Sequence, residues 1–378
     1  MFLFERILGI STYMLALILV CFLLVKTNIS YKSILRFYLL CLCCMAFFYK
    51  PYTTADLYRI FAQMDYFSSM EFGLFWNNFA LESSTPIARL LFWLFGKTGI
   101  NALLPAFSAL FCYSLIFYIV RKTKQLYNIS NQTVAIVLFF IMTTSMYISV
   151  IGGIRMMIAL SMLTFSYFRV TVEKKIKIID ILFFITPIFI HAMAFVVIGI
   201  MVLTLLFDSD KNVLKKIGYA VTIGLIGGVF VVRFSDTFYG LFEKFLAYVL
   251  GDRYSDPWEY IMGIFIIIML FLVFSEIRRI RRSGDCLEVN KCNIAAVFSV
   301  ILASIFCFEF SIFYRFGGHL AVMFSIPTMM ISIEKTKGQS STFFKRIDLR
   351  TMVILLSCII AIVSCARGSL CSLKFFEL

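Results

Sequence analysis

The chain has 378 residues, of which 61% are hydrophobic and only 15% are charged, and it carries a formal net charge of +14. Soluble domains are about a quarter charged, so this composition excludes an ordinary soluble globular protein. The positive charge would also suit a nucleic-acid-binding protein, but it falls in clusters between apolar runs. That distribution is typical of a membrane protein, and we expect no nucleic-acid partner.

The apolar runs predict about 11 to 12 membrane-spanning helices, since a helix of about 20 residues crosses the hydrocarbon core. The predicted fold class is therefore all-α, a polytopic transmembrane helical bundle that forms one integral membrane domain over residues 1–378. In chain order, the predicted spans are 7–25, 34–49, 102–120, 133–150, 154–170, 178–190, 192–207, 213–232, 258–275, 292–313, 317–333 and 351–366.

Basic clusters between these runs predict the orientation, because Lys and Arg concentrate in cytoplasmic loops. The cluster around Lys211 reaches the cytoplasmic side only if the apolar run 178–207 forms two helices rather than one. Pro187 lacks a backbone donor and restricts the residue before it, so a break there is reasonable. We therefore predict a helical hairpin that turns at 187–191.

Two long segments, 50–101 and 233–258, and three tight turns, 151–155, 187–191 and 314–319, then lie on the outer face. The first segment alternates aromatic and polar residues and contains an apolar stretch that begins at Pro86. This pattern predicts amphipathic helices lying on the bilayer, which could equally frame a groove for carbohydrate.

The outer turns carry the candidate binding residues. Arg155 starts a predicted helix, where backbone N–H groups and a guanidinium together favour a phosphate, although an Arg there could also snorkel to lipid headgroups. Arg315 and His319 are four residues apart, and they would share a face if the Gly-Gly pair between them does not break the helix. Tyr314 precedes them as a supporting residue.

Three further residues are candidates for proton transfer. His191 is one of two histidines and can act as a base, an acid or a donor, or simply as a packing residue. Asp56 and Glu82 are outer carboxylates that could supply a general base, although most such carboxylates are merely solvated.

Glu309 lies deep in an apolar run, where a carboxylate is costly, so we expect it to pair with Arg315 or Arg155 and orient it. The eleven cysteines lie mostly within apolar runs, where they behave as small hydrophobic residues. Cys286 and Cys292 are too far apart in sequence for a CxxC pair, and we expect neither a metal site nor a cofactor.

These landmarks resemble the EpsG-type branch of the Wzy-like polysaccharide polymerases. The similar blocks are Lys50 followed by Asp56 and Tyr58, then Glu82 to Pro86, then Arg155 with Ala159 and Ser161, then Lys174-Lys175 and His191, and finally Tyr314-Arg315. The sequence departs from the family pattern at two positions, since Met156 stands where Gln is usual and Lys50 where Arg is usual.

The resemblance implies a GT-C-like membrane glycosyltransferase, independent of metals, in the bacterial cytoplasmic (inner) membrane with its active site facing the periplasm. Such an enzyme joins undecaprenyl-diphosphate-linked oligosaccharide repeat units into O-antigen or exopolysaccharide. Arg155, Arg315 and His319 would then bind the diphosphate, and His191, Asp56 and Glu82 would be catalytic. A flippase or a chain-length regulator is the expected partner protein.

Two other functions fit the same composition. A flippase for lipid-linked oligosaccharides would also need cations, but in a central cavity reachable from both sides of the membrane. A membrane acyltransferase that modifies a surface glycan would need a path for its acyl donor from the cytoplasm. The candidate residues at outer turns favour the polymerase over the flippase.

Overall fold

The computed structural model describes residues 2–53, 55–144, 146–206, 228, 257–282, 289–305, 313–336 and 348–366. Within these ranges the regular elements are helical, which confirms the all-α prediction. The helices are α1 Phe2–Lys26, α2 Tyr31–Phe47, α3 Asp56–Ser68, α4 Phe72–Phe75, α5 Pro86–Gly96, α6 Leu103–Tyr127, α7 Asn131–Thr143, α8 Met146–Gly152, α9 Ile154–Thr171, α10 Ile178–Ile185, α11 Met193–Leu206, α12 Pro257–Arg282, α13 Asn290–Ile305, α14 Val322–Lys335 and α15 Leu349–Ala366.

Five segments of the described chain are helices long and apolar enough to cross a membrane, so the coarse prediction of a membrane protein stands. They are Ile7–Lys26, Leu103–Tyr127, Tyr260–Arg278, Arg315–Lys335 and Leu349–Ala366. The other predicted spans coincide with helices that are shorter or less apolar, such as α2, α7, α9 and α11. The predicted span 213–232 lies outside the described residues except for Gly228.

The bundle has two distinct ends, which long-range hydrogen bonds identify. At one end, called the Lys26 end, Gln125 near the close of α6 donates to the Tyr31 hydroxyl at the start of α2, 3.2 Å away. Tyr118 of α6 donates to Glu173, just beyond α9, at 2.9 Å. The basic segments that follow α1, α6 and α9 therefore gather at one end of the bundle, as the orientation prediction requires.

The hairpin predicted at 187–191 is present. Near the start of α10, Asp180 pairs with Arg169 close to the end of α9, at 3.3 Å. Near the end of α11, Thr204 hydrogen-bonds Tyr167, which lies in the same part of α9. The start of α10 and the end of α11 thus both lie at the Lys26 end. A 3-10 turn over Thr186–Phe189 reverses the chain between the two helices. Lys211 itself lies outside the described residues.

The outer segment 50–101 folds into α3, α4, a π-helical turn over Trp76–Ala80, and α5. One face of α3 is buried and packs against α5, whose Gly96 lies so close to α3 that a Cβ there would meet the Met64 carbonyl oxygen at 2.5 Å. At this junction the Phe75 ring stacks on Trp93 and meets the Phe67 ring edge to face. Residues 233–256 of the second outer segment lie outside the described part of the chain.

A π-helical turn over Arg315–Ala321 leads directly into α14, so Gly317 and Gly318 do not break the helix. Gly318 is needed there for a steric reason, because a Cβ would meet the Tyr314 ring at 2.7 Å. Residues 316–333 of the membrane-length helix Arg315–Lys335 are enclosed by the bundle, whereas Arg315 and Lys335 at its two ends are exposed. Its N-terminal end lies opposite the Lys26 end, and we call that side the Arg155 end.

Candidate functional site

Arg155 is the second residue of α9 and is partly buried. The residue before the helix, Gly153, offers no side chain to cap the first turn. The N–H groups of that turn have no partners within the helix, and they and the positive end of the helix dipole favour an anion. Arg155 therefore adds a full positive charge to a helix end that already attracts negative groups.

His191 lies in the turn between α10 and α11. Its Nδ1 accepts a hydrogen bond from the backbone N–H of Met193 at 3.1 Å, so the ring caps the start of α11. Burial lowers the pKa of His191 to about 3, and the charges of Arg315 and then Arg155 add to this effect. The structure therefore brings Arg155, His191 and Arg315 into one neighbourhood, although the sequence separates the two arginines widely.

Arg89, on α5, is a fourth member that the sequence analysis missed. Its Nη1 donates to Gln63 Oε1 at 3.2 Å, and its guanidinium lies 5.6 Å from the Phe67 ring centroid. Burial lowers the pKa of Arg89, and the charge of Arg155 lowers it further. A charged residue within the otherwise apolar stretch Pro86–Gly96 was the available signal.

Arg89, Arg155, Arg315 and His191 are called the arginine cluster from here on, because the charges of Arg155 and Arg315 act on His191 and that of Arg155 acts on Arg89. In the described part of the chain, the two ion pairs are Arg59 with Asp56 and Arg169 with Asp180, and neither includes a member of the cluster. Like charges held together without a carboxylate are costly when partly desolvated. An anion that carries more than one negative charge would offset that cost and could bridge several guanidinium groups.

His319, which we predicted to bind the diphosphate with Arg315, lies in the interior of the bundle. Its side chain is buried, at 2% exposure, with Nε2 2.9 Å from Ser149 Oγ and its ring 4.8 Å from the Tyr314 ring. Arg315, by contrast, is exposed. The two residues lie close enough for the charge of Arg315 to act on His319, but the Arg315 side chain is directed towards the surface and the His319 ring into the bundle. Tyr314 donates to the Thr144 carbonyl, which anchors this turn to α7.

Among the described residues, the predicted carboxylates Asp56 and Glu82 are exposed, and neither forms an ion pair with a member of the arginine cluster. Asp56 begins α3, is exposed, and lies 3.7 Å from Arg59 in a surface pair. Glu82 is exposed in the turn before α5. Glu309, the predicted partner of Arg155 or Arg315, lies outside the described residues. Over the described ranges, no three His, Cys, Asp or Glu side chains are grouped closely enough to hold a metal ion.

Comparison with known proteins adds no relative on which a function could be based. No protein-family model matches the chain, and neither a curated protein nor a solved structure matches it significantly.

Proposed function

We propose that this protein is a polymerase that joins polyprenyl-diphosphate-linked oligosaccharide repeat units at the outer face of the bacterial cytoplasmic membrane. The observation that carries the proposal is the arginine cluster, in which the charges of Arg155 and Arg315 both act on His191. It lies opposite the Lys26 end, which the charge distribution assigns to the cytoplasm. A diphosphate at the membrane edge is the anion that best suits this position and charge.

In the proposed reaction, an oxygen of the acceptor sugar attacks the anomeric carbon of the growing chain. The bond from that carbon to the diphosphate oxygen breaks, and its electron pair leaves with the diphosphate. Negative charge therefore grows on the leaving group in the transition state. Arg155 and Arg315, with Arg89 beside Arg155, stabilise that charge through preorganised donors, which is an effective form of catalysis.

His191 fits the role of a donor better than that of a base. Because Nδ1 accepts the Met193 N–H, the neutral ring carries its proton on Nε2, which can only donate. A histidine whose pKa is about 3 is also a weak base near neutral pH. We therefore assign the Nε2–H to a diphosphate oxygen. The acceptor hydroxyl gives its proton to a carboxylate, for which Asp56 and Glu82 are the candidates on the outer segment.

This proposal includes the finer expectations from the sequence resemblance. The bundle would be a GT-C-like glycosyltransferase with a periplasmic active site, and O-antigen or exopolysaccharide would be its product. The polyprenyl chain would stay in the bilayer while its diphosphate reaches the cluster. A flippase that delivers repeat units, or a protein that controls chain length, would be a natural partner.

A gene-deletion strain tests the proposal. We expect the surface glycan to carry a single repeat unit after deletion, because the unit is still made, flipped and attached but not extended. Gel analysis of the glycan distinguishes this from the long ladder of the parent strain. Purified protein in nanodiscs, supplied with the lipid-linked repeat unit, should convert it into a ladder of longer lipid-linked products.

Other outcomes would assign the protein elsewhere. Loss of every repeat unit, with lipid-linked units accumulating on the cytoplasmic side, would indicate a flippase. A glycan of normal length that lacks only an acyl substituent would indicate an acyltransferase. Either result, together with inactive protein in nanodiscs, would overturn the polymerase proposal.

A further inference from the structure

A second site of different chemistry lies at the Lys26 end, remote from the arginine cluster. A cavity of about 210 Å³ opens between α2 and α6. From α2 it is lined by Lys32, Leu35, Arg36 and Leu39, residues that share one helical face. The proposed polymerase activity assigns no role to this cavity.

The residues that line the cavity from α6 have the same sequence spacing as those from α2, and α6 runs in the opposite direction. Ser114, Phe117, Tyr118 and Arg121 line the cavity from that side. Because α2 begins and α6 ends at the Lys26 end, Lys32 and Arg36 lie at the same level as Arg121. The distance from Lys32 to Leu39 along the helix axis is about 10 Å. The cavity therefore has cations at its mouth and apolar side chains, Leu39 and Phe117, further in.

The cations at the mouth form no ion pair with a carboxylate among the residues that the structure describes. The ion pairs in that part of the chain involve Arg59 and Arg169 instead. Glu173 is engaged by the Tyr118 hydroxyl in the cavity wall, which donates to both carboxylate oxygens at 2.9 and 3.2 Å. The Arg121 guanidinium lies 5.5 Å from the Tyr118 ring centroid, and this contact holds it in place. The mouth thus offers a net positive charge to an incoming group.

We propose that this cavity binds an anionic phospholipid from the membrane leaflet at the Lys26 end. The phosphate would meet Lys32, Arg36 and Arg121, and an acyl chain would lie along Leu39 and Phe117. Basic pockets between membrane helices are suited to anionic headgroups, and cations alone would equally accept free phosphate. The apolar inner wall is what favours a lipid, because a free ion would leave it unused.

Native mass spectrometry of the purified full-length protein tests this. The probes are phosphatidylglycerol, phosphatidylcholine of the same acyl chains, and inorganic phosphate. We expect phosphatidylglycerol to bind about ten-fold more tightly than phosphatidylcholine, and excess phosphate not to displace it. The double variant Arg36→Ala/Arg121→Ala should weaken phosphatidylglycerol binding by about 25-fold, since each surface cation contributes about a five-fold factor.

A matched control removes two exposed cations from the same end but outside the cavity, as Lys26→Ala/Lys175→Ala, and should leave binding unchanged. Leu39→Trp fills the inner cavity without changing charge, so it should weaken lipid binding even if the arginine variant folds poorly. Equal binding of the two lipids, or equal loss in the control, would overturn the proposal. If excess phosphate displaces phosphatidylglycerol and Leu39→Trp does not change its binding, the proposal would be overturned, and the cavity would be a site for a free anion.

Discussion

The two ends of the bundle both carry cations, but they balance them differently. At the Lys26 end, acids are placed among the bases: Arg169 pairs with Asp180, and Glu173 accepts from Tyr118. At the Arg155 end, the charges of Arg155 and Arg315 both disfavour protonation of His191, and the charge of Arg155 disfavours that of Arg89. The paired charges around Arg169 and Glu173 are satisfied within the protein, whereas those of the arginine cluster are left for a ligand.

This difference separates charges that stabilise the fold from charges that the fold must hold in place at a cost in stability. A partly buried cation without a counter-charge destabilises the empty protein, so its position needs support from elsewhere. For Arg89 that support is the Gln63 side chain and the Phe67 ring. Removing a member of the internal Arg169–Asp180 pair should therefore harm stability, whereas removing a cation of the arginine cluster should harm activity.

The largest effect on stability is expected from breaking the Arg169–Asp180 pair. Asp180 is fully buried, and Asp180→Ala leaves the Arg169 guanidinium without its acid, at a cost of about 3 to 5 kcal/mol. Thermal unfolding in detergent should show a strongly lowered melting temperature. The double variant Arg169→Met/Asp180→Leu should recover most of the loss, and a melting temperature unaffected by Asp180→Ala would contradict the comparison.

The next effect concerns catalysis and Arg155. Arg155→Ala should lower the rate of polymerisation about 100- to 1000-fold, because preorganised charge on the leaving group is lost. Arg155→Lys should be nearly as damaging, since lysine lacks the guanidinium fork that contacts two phosphate oxygens. The measurement is glycan ladder formation at matched expression.

Lys97→Ala is the control for Arg155, because it removes an exposed cation on the outer segment that contacts only the Trp93 ring in the described structure. Its activity should be close to that of the parent. Full-length polymer with Arg155→Ala would remove Arg155 from the site.

Arg89→Ala should lower the rate of polymerisation by a smaller factor, about ten-fold, since Arg89 acts beside Arg155 and belongs to a separate helix. The same variant should raise the melting temperature slightly or leave it unchanged, because it relieves repulsion in the empty protein. Reduced activity with unchanged stability would place Arg89 with the ligand-directed charges. Lowered stability with unchanged activity would place it with the structural ones.

His191 distinguishes a donor from a base. His191→Gln places an amide N–H near the position of Nε2 and should keep activity within about ten-fold of the parent, whereas His191→Ala should lose about 100-fold. Glutamine cannot act as a base, so equal loss in both variants would favour the base role. The readout is the initial rate of product formation in nanodiscs.

The smallest effect is the contribution of His191 to the pH dependence of stability. Its folded-state pKa of about 3 lies below the ordinary value of 6.5, so protonation favours the unfolded chain. The stability from the neutral ring is complete above about pH 6.5 and is lost as the pH falls towards 3. His191→Gln should therefore narrow the difference in melting temperature between pH 7 and pH 5. An unchanged difference would mean that the ring is not desolvated.

The sequence predicted local features well where one physical rule sufficed. The rule that basic clusters face the cytoplasm, together with Pro187, predicted the hairpin, and hydropathy predicted the long helices. Its failures came from long-range geometry. Arg89 lies near Arg155 through the packing of separate helices, which no sequence spacing encodes. Sequence spacing also did not show that the His319 ring is buried while Arg315 is exposed. A charged residue in an apolar helix was the one sequence signal that could have identified Arg89.

The short hairpin arm has a consequence for the lipid around it. The eight residues of α10 and the four of the 3-10 turn extend about 20 Å, against a hydrocarbon thickness of about 30 Å. Ile181, Leu182 and Ile185 on this arm are each 50% exposed, so they face acyl chains. Such hydrophobic mismatch is relieved by local thinning of the bilayer. Headgroups would therefore dip towards His191, and a polyprenyl diphosphate could arrive by sideways diffusion without leaving its leaflet.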